Sequence, residues 1–349
     1  GYDLRDAETY QVTMQQFDDV VGLEWLKVLH LNDAKKGLGS KLDRHAHIGE
    51  GTGGNRPDYG GNMIIKNTVT KEVLEKIRIL AFDMDGTLLD EKGALSSANA
   101  ACIRRAMEKG YHIVIATGRG YSAFPEAVMN LEGIRYMISS NGAHIVDQHT
   151  GETIYSNLLT REAVEAAMPW ISDPELMREV FFHHKVYADK HCMEDLPRYG
   201  VLTEKSQKYV LETRKPVEDA VALIREYADQ LENINLLFPD GKKRLRYWAE
   251  LKGINGLTVV SSMPYNIELG GATTSKATAL KALAERLGLS HDNIMSFGDS
   301  SNDAQMLAAA QVAVAMGNAV EELKEAADVI TLSNAEDGVA YALSRLLDL

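Results

Sequence analysis

The sequence predicts an α/β protein whose core is a doubly wound parallel sheet, interrupted by an inserted α+β domain. From residue 76 onward, short apolar runs are followed by polar or glycine turns and then by amphipathic helical patterns. This alternation is typical of a parallel sheet with helices between its strands. It stops between residues 160 and 264, where strand and helix patterns are mixed differently. A chain of 349 residues is also long enough for two or three domains.

The predicted strands of the sheet are short apolar runs, each followed by a polar or glycine residue. Between them, one helix is predicted to begin at Ser96 or Ser97 and end at Gly110, and another to end before Gly288. Ligands of open parallel sheets bind beyond the carboxyl ends of the strands, so we expect the polar residues there to share one crevice. The predicted strands are 78–82, 112–116, 136–139, 293–297, 312–315 and 328–331.

These patterns divide the chain into four parts. The core is predicted at 77–159 and 265–349, and the inserted α+β domain at 160–264. Residues 52–76 begin with a glycine-rich stretch that lacks apolar periodicity, which indicates a linker. Residues 1–51 form a separate block before it.

Composition and charge restrict the classes of partner. The formal net charge of −13 gives no electrostatic reason to expect nucleic-acid binding. The first residues lack the pattern of a signal peptide, and no apolar run approaches the ~18 residues that a membrane span needs. Cys102 and Cys192 are too few for a disulfide framework. We therefore expect a cytoplasmic protein without a membrane partner, and the sequence does not specify an oligomeric state.

Acidic residues follow two of the predicted strands. Asp83 and Asp85 come directly after the first strand, one residue apart, so their side chains point the same way. Adjacent carboxylates repel each other unless a cation or a proton lies between them. Asp299 and Asp303 follow a later strand. Mg²⁺ prefers oxygen ligands and keeps positions open for a substrate phosphate. The sequence therefore predicts a magnesium site formed by Asp83, Asp85, Asp299 and Asp303.

Two further strand-end residues supply groups that a phosphate needs. Thr117 follows the second strand, and Lys276 begins a helix whose amide groups also favour an anion. Each of these segments, taken singly, is equally compatible with an ordinary turn or helix cap. Their common position at strand ends favours a phosphate site instead.

The ordered motifs FDMDGTLL, ATGR, SSNGA, SKATAL and GDSSNDAQML resemble the haloacid dehalogenase (HAD) superfamily, and in particular its Cof-type branch, subclass IIB. The resemblance covers residues 77–349 and implies a Rossmann-like core with a cap domain. It implies that Asp83 attacks the substrate phosphorus, that Asp85 shuttles a proton, and that Asp299 is a further Mg²⁺ ligand. One departure is Ala277, where this branch often has glycine.

The resemblance also assigns residues around the transferring phosphoryl group. Asn302 and Asp303 would orient the metal shell and the lysine, and the NGA turn would face the substrate. Lys276 is counted among the catalytic residues as well. The implied phosphate-binding residues are Thr117, Gly118, Lys276, Asn141, Gly142 and Asn302.

These assignments predict a Mg²⁺-dependent phosphatase of small phosphorylated metabolites, such as sugar phosphates. Asp83 would form an aspartyl-phosphate, and Asp85 would protonate the leaving oxygen and then activate water. A phosphomutase or another phosphotransferase would use the same nucleophile but shield the intermediate from water. A noncatalytic sensor is disfavoured by the complete set of acidic residues.

The inserted domain is expected to cover the crevice and select the leaving group. Five residues of this domain have odd numbers and would share one face of a continuous strand, namely Phe181, His183, Tyr187, Asp189 and His191. On that face, His183 and His191 could contact the substrate. Histidines on a half-exposed strand are more often surface or packing residues.

The block before the linker resembles a different family. Its stretch HLNDAKKGLGSKLDRHAHIGEG is similar to endonuclease IV, a zinc-dependent TIM barrel that repairs abasic sites, over residues 1–54. The resemblance implies that His30, Asp43 and His45 are zinc ligands. A barrel needs about 250 residues, so this block is expected to be an incomplete barrel fragment with a vestigial Zn²⁺ site. A zinc-dependent abasic-site DNA endonuclease remains the alternative function.

Overall fold

The computed structural model describes residues 63–131 and 133–349, together with the backbone of two short strands, β1 (Asp33–Ala34) and β2 (His45–Ala46). The chain separates into two compact units, residues 1–60 and residues 61–349. Each unit is considered by itself.

Among its described residues, the first unit contains one pair of strands, in which β1 and β2 are antiparallel. The proposed zinc residues His30 and Asp43, and the side chain of His45, lie outside the described residues. The barrel fragment predicted for residues 1–51 therefore has no support in the structure.

The second unit alternates between strands and helices. In chain order, its strands are β3 (Ile64–Ile65), β4 (Ile79–Phe82), β5 (His112–Ala116), β6 (Tyr136–Ser139), β7 (His144–Asp147), β8 (Glu152–Ser156), β9 (Met177–Phe182), β10 (Lys185–Asp189), β11 (Arg214–Val217), β12 (Leu231–Leu237), β13 (Leu257–Val260), β14 (Asn266–Gly271), β15 (Ile294–Gly298), β16 (Val312–Ala315) and β17 (Val329–Ile330).

Helices occupy the segments between these strands, supplemented by short 3₁₀ turns. The α-helices are α1 (Lys71–Leu74), α2 (Ser97–Glu108), α3 (Glu126–Met129), α4 (Arg161–Ile171), α5 (Glu204–Thr213), α6 (Ala220–Glu226), α7 (Gly241–Leu251), α8 (Lys276–Arg286), α9 (Ala304–Ala308), α10 (Glu321–Ala326) and α11 (Gly338–Leu346).

The larger sheet has the strand order β3-β17-β16-β15-β4-β5-β6-β7-β8 among the described residues. Its six central strands, from β17 to β6, are parallel. Strands β3 and β7 run antiparallel to them, and β8, which is antiparallel to β7, runs in the direction of the central strands. Phe82 on β4 stacks on its neighbour Phe297 on β15, with 4.8 Å between ring centroids. This buried pair fixes the ends of two adjacent strands, directly before the acidic residues.

The sheet confirms the strands and the helix ends predicted from the sequence. The predicted strands at 112–116, 136–139 and 312–315 have the observed bounds. At the start of α2, the hydroxyl of Ser96 accepts a hydrogen bond from the amide of Asn99, and Gly110 follows the helix with a φ of +86°.

The linker predicted at 52–76 is partly structured. Ile64 and Ile65 in β3 pair with Ile330 and Val329 in β17 and extend the sheet at its edge, and α1 follows them. The glycine-rich composition on which the linker prediction depended ends at residue 62, so it did not apply to this segment.

The inserted region forms a second sheet with the order β11-β10-β9-β12-β14-β13. Every second residue of its central strands faces helices α4, α6 and α7 and packs with them in one apolar cluster. Val180, Ile234 and Leu269, on three neighbouring strands, are examples. The sheet continues to Gly271, beyond the predicted boundary at residue 264. The two-residue periodicity leaves the other face of the sheet to polar side chains.

The parity predicted for the cap histidines is wrong. Strand β9 ends at Phe182 and β10 begins at Lys185, so His183 and His184 form a two-residue hairpin turn with φ values of +48° and +62°. His191 precedes a 3₁₀ turn and is exposed. The turn interrupts the alternation on which the prediction depended. His183 and His191 are exposed, which confirms the expectation that such histidines are surface residues.

Candidate active site

The predicted site residues converge at the carboxyl ends of the central strands. Asp83 follows β4, Thr117 follows β5 and Asp299 follows β15, and β4 lies between the other two strands. Lys276 is the first residue of α8. The sheet therefore brings together groups that are far apart in the sequence, as the parallel topology predicts.

Lys276 is buried between two carboxylates. Its Nζ donates to Oδ1 of Asp83 at 2.5 Å and to Oδ1 of Asp303 at 2.7 Å, and its side chain is 2% exposed. Burial alone would lower the pKa of Lys276, but the charges of Asp303 and Asp83 raise it above its ordinary value. The ammonium group therefore stays charged and points at Asp83.

Asp83, Asp299 and Asp303 form a carboxylate cluster. Each offers one oxygen, and the three oxygens lie within 4.8 Å of one another. Burial and the charge of Asp303 raise the pKa of Asp83 well above its usual range, while Lys276 opposes the shift. Burial also raises the pKa of Asp299 to about 6. The carboxylates therefore lack sufficient positive charge nearby, which is the condition that a bound cation would relieve.

The geometry around Asp299 depends on the two residues after Asp85. The hydroxyl of Thr87 donates to Oδ1 of Asp299 at 2.8 Å and opposes the rise in its pKa. Gly86 has a φ of +84°, and a Cβ atom there would lie 2.4 Å from Oδ2 of Asp299. Glycine is thus required for the backbone to approach this carboxylate. The sequence prediction did not assign the hydrogen bond of Thr87.

Asp85 is separate from the cluster in this structure. Its Oδ2 accepts from Nε of Arg119 at 2.8 Å, and its Oδ1 accepts from a terminal nitrogen of the same guanidinium at 2.5 Å. The Asp85 side chain is half exposed. Arg119 was missed from the sequence, although it lies in the ATGR motif beside Thr117. The predicted metal role of Asp85 remains a prediction.

Two loops around the expected phosphate position are joined by hydrogen bonds. The amide of Asn141 donates to the carbonyl of Thr117 at 3.0 Å, and Ser140 donates likewise to Arg119 at 2.8 Å. Gly142 has a φ of +100°, and a Cβ atom there would lie 2.2 Å from the carbonyl oxygen of Ser275, next to Lys276. The NGA turn therefore needs glycine at this position to pack against the start of α8.

Other predicted residues lie around these loops. A Cβ atom on Gly118 would lie 2.9 Å from Oδ1 of Asn141. Asn302 accepts a hydrogen bond from the hydroxyl of Ser300. Oδ2 of Asp303 accepts from the amides of Asp299 and Ser300, both at 3.1 Å. Asp303 thus connects the acidic loop to Lys276.

The polar face of the second sheet reaches this site. Nδ2 of Asn141 donates to Oε2 of Glu268 on β14 at 2.5 Å. The Arg119 guanidinium lies 4.5 Å from the ring centroid of Tyr209 on α5. The inserted domain therefore covers the strand ends. It contacts the loop that follows Thr117, through Arg119, and the NGA turn, through Asn141.

The cluster meets the requirements of a hard cation. Its donors are carboxylate oxygens, the ligands that Mg²⁺ prefers. Asp83 and Asp303 are buried, Asp299 is half-buried, and the compensating charge is too small. Asp83 and Asp299 would hold the ion, with Asp303 next to them.

A parallel α/β sheet with a buried aspartate–lysine pair, a carboxylate cluster and a covering domain defines a class of phosphate-ester hydrolases. The sequence profile of the haloacid dehalogenase-like hydrolases matches residues 80–343. The chain belongs to this family. Its fold is similar to that of a HAD subclass IIB sugar phosphatase, with a TM-score of 0.64 at 22% identity over 77% of this chain and 98% of that one. The chain is therefore a phosphatase-type hydrolase of this family.

Individual relatives agree with this assignment. Phosphatase YwpJ of Bacillus subtilis is 32% identical over 78% of this chain and 100% of its own length. The 5-amino-6-(5-phospho-D-ribitylamino)uracil phosphatase YcsE of the same organism is 31% identical over 76% of this chain and 94% of its own. A haloacid dehalogenase-like hydrolase structure from B. subtilis superimposes with a TM-score of 0.67 at 30% identity, and covers 78% of this chain and 100% of that one.

The sequence profile does not cover the N-terminal block. Its match begins at residue 80 and gives no support to the endonuclease IV resemblance of residues 1–54. Within the part of the chain that the structure describes, no helix is long and apolar enough to cross a membrane.

Proposed function

We propose that this phosphatase is Mg²⁺-dependent and works through an aspartyl-phosphate on Asp83. The observation that carries the proposal is the position of Asp83, which is 5% exposed, contacts Lys276, and shares a carboxylate cluster with Asp299. When bound there, Mg²⁺ would withdraw charge from the phosphoryl oxygens and make the phosphorus more electrophilic.

Each step of the reaction uses a residue of the site. A carboxylate oxygen of Asp83 attacks phosphorus, forming a new P–O bond as the bond to the leaving oxygen breaks. Lys276, the hydroxyl of Thr117 and the amide of Gly118 hold the equatorial oxygens. Asp85 gives its proton to the leaving oxygen and later takes one from the attacking water, which releases phosphate and restores Asp83.

Arg119 determines when Asp85 can act. Both oxygens of Asp85 accept hydrogen bonds from Arg119 in this structure, as those of an ionised carboxylate do. The pair must therefore open, and Asp85 must take up a proton from solvent, before it can protonate the leaving oxygen. Arg119 also contacts Tyr209 of the inserted domain. We infer that substrate binding beneath this domain releases Asp85, which couples proton transfer to an occupied site.

The polar face of the second sheet favours a substrate whose leaving group is rich in hydroxyl groups. Glu179, Asn235 and Glu268 lie opposite one another on three neighbouring strands, and Asn235 donates to Glu179 at 3.0 Å. Asn233 lies two residues before Asn235 on the same strand, and among the described residues its buried Oδ1 has no hydrogen-bond partner. A sugar or sugar-alcohol hydroxyl would satisfy that acceptor, whereas an apolar group would leave it unpaired. The relative YcsE is a 5-amino-6-(5-phospho-D-ribitylamino)uracil phosphatase, and a ribityl group has this chemistry.

A substrate panel tests both parts of the proposal. Sugar phosphates, ribitol 5-phosphate, pyridoxal 5′-phosphate and p-nitrophenyl phosphate are compared with Mg²⁺ and with EDTA. We expect activity only with Mg²⁺ and the highest kcat/KM on a hydroxyl-rich ester. Asn233→Leu should lower that kcat/KM about two- to twelvefold, the effect of one net hydrogen bond of about 0.5–1.5 kcal/mol. The exposed Asn255→Leu is the matched control on the same domain.

The outcomes separate the alternatives. Equal rates with EDTA would contradict the Mg²⁺ proposal. A preference for pyridoxal 5′-phosphate that Asn233→Leu does not change would contradict the hydroxyl-rich substrate while leaving the phosphatase assignment intact. Transfer of phosphate to an acceptor without release of free phosphate would favour the phosphomutase or phosphotransferase alternative. The zinc-dependent endonuclease activity of residues 1–54 and the cytoplasmic location stay hypotheses.

A further inference from the structure

A second group of ligand-type side chains lies between the two sheets. His144 is on β7 of the larger sheet, His184 is in the turn between β9 and β10, and Glu232 is on β12 of the second sheet. Each offers one ligand atom, and the three atoms lie within 4.8 Å of one another. None of these residues belongs to the carboxylate cluster at Asp83. We call this set the seam cluster.

One distance in the seam cluster is close to that between two ligands of a tetrahedral ion. Nε2 of His144 lies 3.6 Å from Oε1 of Glu232. Neighbouring ligands of a tetrahedral zinc ion are separated by roughly 3.3 Å, given metal–ligand bonds of about 2.0–2.1 Å. Glu232 is fully buried, and its second oxygen, Oε2, accepts from the hydroxyl of Ser140 at 2.6 Å.

Hydroxyl groups orient both imidazole rings. Nδ1 of His144 lies 3.0 Å from the hydroxyl of Ser156, and Nε2 of His184 lies 3.0 Å from the hydroxyl of Thr153. These contacts leave Nε2 of His144 and Nδ1 of His184 for a ligand. Within the described part of the chain, that Nδ1 atom is buried without a hydrogen-bond partner. Histidine ligands of metals are held in this way by outer hydrogen bonds.

Two backbone irregularities bring these side chains together. Glu232 lies at a break in register between β12 and β9, where Leu231 pairs with Phe182 and Asn233 pairs with Phe181, and such a bulge re-aims a side chain. His184 has a φ of +62°, in a two-residue turn where asparagine and glycine are the preferred residues. Histidine tolerates this left-handed conformation, and the turn places the His184 side chain beside Glu232 and His144.

The protonation state also suits a metal. Burial lowers the pKa of His144 below its ordinary value, although the charge of Glu232 opposes the shift and His184 adds to it. Burial therefore favours the neutral imidazole, which is the form that coordinates. Two nitrogen donors and one carboxylate match Zn²⁺ rather than Mg²⁺, which prefers oxygen ligands.

We propose that His144, His184 and Glu232 form a Zn²⁺ site that joins the inserted domain to the core and leaves one coordination position open. The ligands come from both sheets, so the ion would stabilise their contact. This inference is independent of the proposed substrate and of the aspartyl-phosphate mechanism.

A zinc titration of the full chain tests the proposal. Metal-free protein in saturating Mg²⁺, which occupies the carboxylate cluster, is titrated with Zn²⁺ in competition with a chromophoric chelator. The variant is His184→Asn, because asparagine retains the left-handed turn but removes the imidazole. His183→Asn, at the exposed neighbouring position of the same turn, is the matched control.

We expect the wild type and His183→Asn to bind the same number of zinc equivalents, and His184→Asn to bind one fewer tight equivalent. Its affinity at this site should fall by more than about 100-fold, the upper end of the loss caused by removing an outer-shell partner. Zn²⁺ should raise the melting temperature of the wild type and of His183→Asn more than that of His184→Asn. Any zinc bound by residues 1–54 is common to all three proteins and cancels in the comparison.

Glu232→Gln keeps the size of the side chain and serves as a second variant if His184→Asn does not fold. Cobalt substitution adds a spectroscopic readout, in which the tetrahedral visible band should be present in the wild type and absent from both variants. Equal zinc stoichiometry and affinity in the wild type, His184→Asn and Glu232→Gln would overturn the proposal. A cobalt band that survives both substitutions would overturn it as well.

Discussion

The buried ammonium group of Lys276 provides the most quantitative prediction. Lys276→Met replaces it with an apolar side chain of similar length, and leaves Asp83 and Asp303, which are 5% and 0% exposed, without their shared partner. Removing one partner of a buried ion pair typically costs about 3–5 kcal/mol, because the remaining charge is buried and uncompensated. We expect a loss of that size in the free energy of unfolding at pH 7.

The pH dependence follows from the carboxylates that remain. Burial and the charge of Asp303 already raise the pKa of Asp83, and loss of the lysine raises it further. A carboxyl group whose pKa is higher in the folded state destabilises the protein at high pH, and this penalty disappears as pH falls through the folded pKa towards the unfolded value of about 3.9. The gap in unfolding free energy between Lys276→Met and the wild type should therefore narrow as pH is lowered from 7.

Urea denaturation in EDTA, followed by circular dichroism at several pH values, measures this effect. Adding Asp303→Asn to Lys276→Met removes one of the two uncompensated carboxylates, so the double variant should regain part of the stability but none of the activity. Lys281→Met is the control, because Lys281 is exposed on the same helix. A loss below about 1 kcal/mol, the range of exposed pairs, would show that solvent screens the pair and would refute the reasoning.

Three further predictions concern the metal site and the N-terminal block. Gly86→Ala places a Cβ atom 2.4 Å from Oδ2 of Asp299 and should weaken Mg²⁺ activation by more than tenfold. Its control is Gly110→Ala, because Gly110 has a similar φ of +86° and open space around the position of the Cβ atom. The control should lower stability by about 1 kcal/mol and leave Mg²⁺ activation unchanged. Equal effects of the two on Mg²⁺ titrations would contradict the proximity argument. Mg²⁺ affinity should fall as pH drops through about 6, the pKa of Asp299. Thr87→Val removes a hydrogen bond that opposes the rise in this pKa, so it should move the midpoint of the pH dependence upward. Identical binding profiles of the two proteins would argue against Asp299 as a ligand. A chain truncated to begin at Met63 should keep the full phosphatase rate, and zinc-dependent incision of an abasic duplex by the longer chain alone would show that residues 1–62 are catalytic.

The position of the site could be predicted because it depends on simple periodicity. Apolar runs of four or five residues predicted the central strands, and parallel topology then placed Asp83, Thr117 and Asp299 at one edge. The sequence had no comparable signal for the pairing of Asp85 with Arg119. That pair depends on the path of the loop after Thr117, which local patterns do not determine.

The other misses have similar physical causes. The parity argument for His183 and His191 assumed a continuous strand, but the hairpin turn breaks the alternation and directs His184 towards the core. Edge strand β3 escaped prediction because two isoleucines are too few to establish a period. The bulge at Glu232 depends on pairing with a strand about 50 residues earlier, which the local sequence does not encode.

The covalent intermediate is the most direct test of the central proposal. The enzyme is mixed with its best substrate and Mg²⁺, quenched within one turnover and treated with borohydride, which reduces an acyl phosphate to the corresponding alcohol. We predict that mass spectrometry of the digested protein finds homoserine at position 83, and that it is absent without substrate and from Asp83→Asn. Reduction at Asp85 or Asp299 instead, or full turnover with no modified aspartate, would contradict the assignment of Asp83 as the nucleophile.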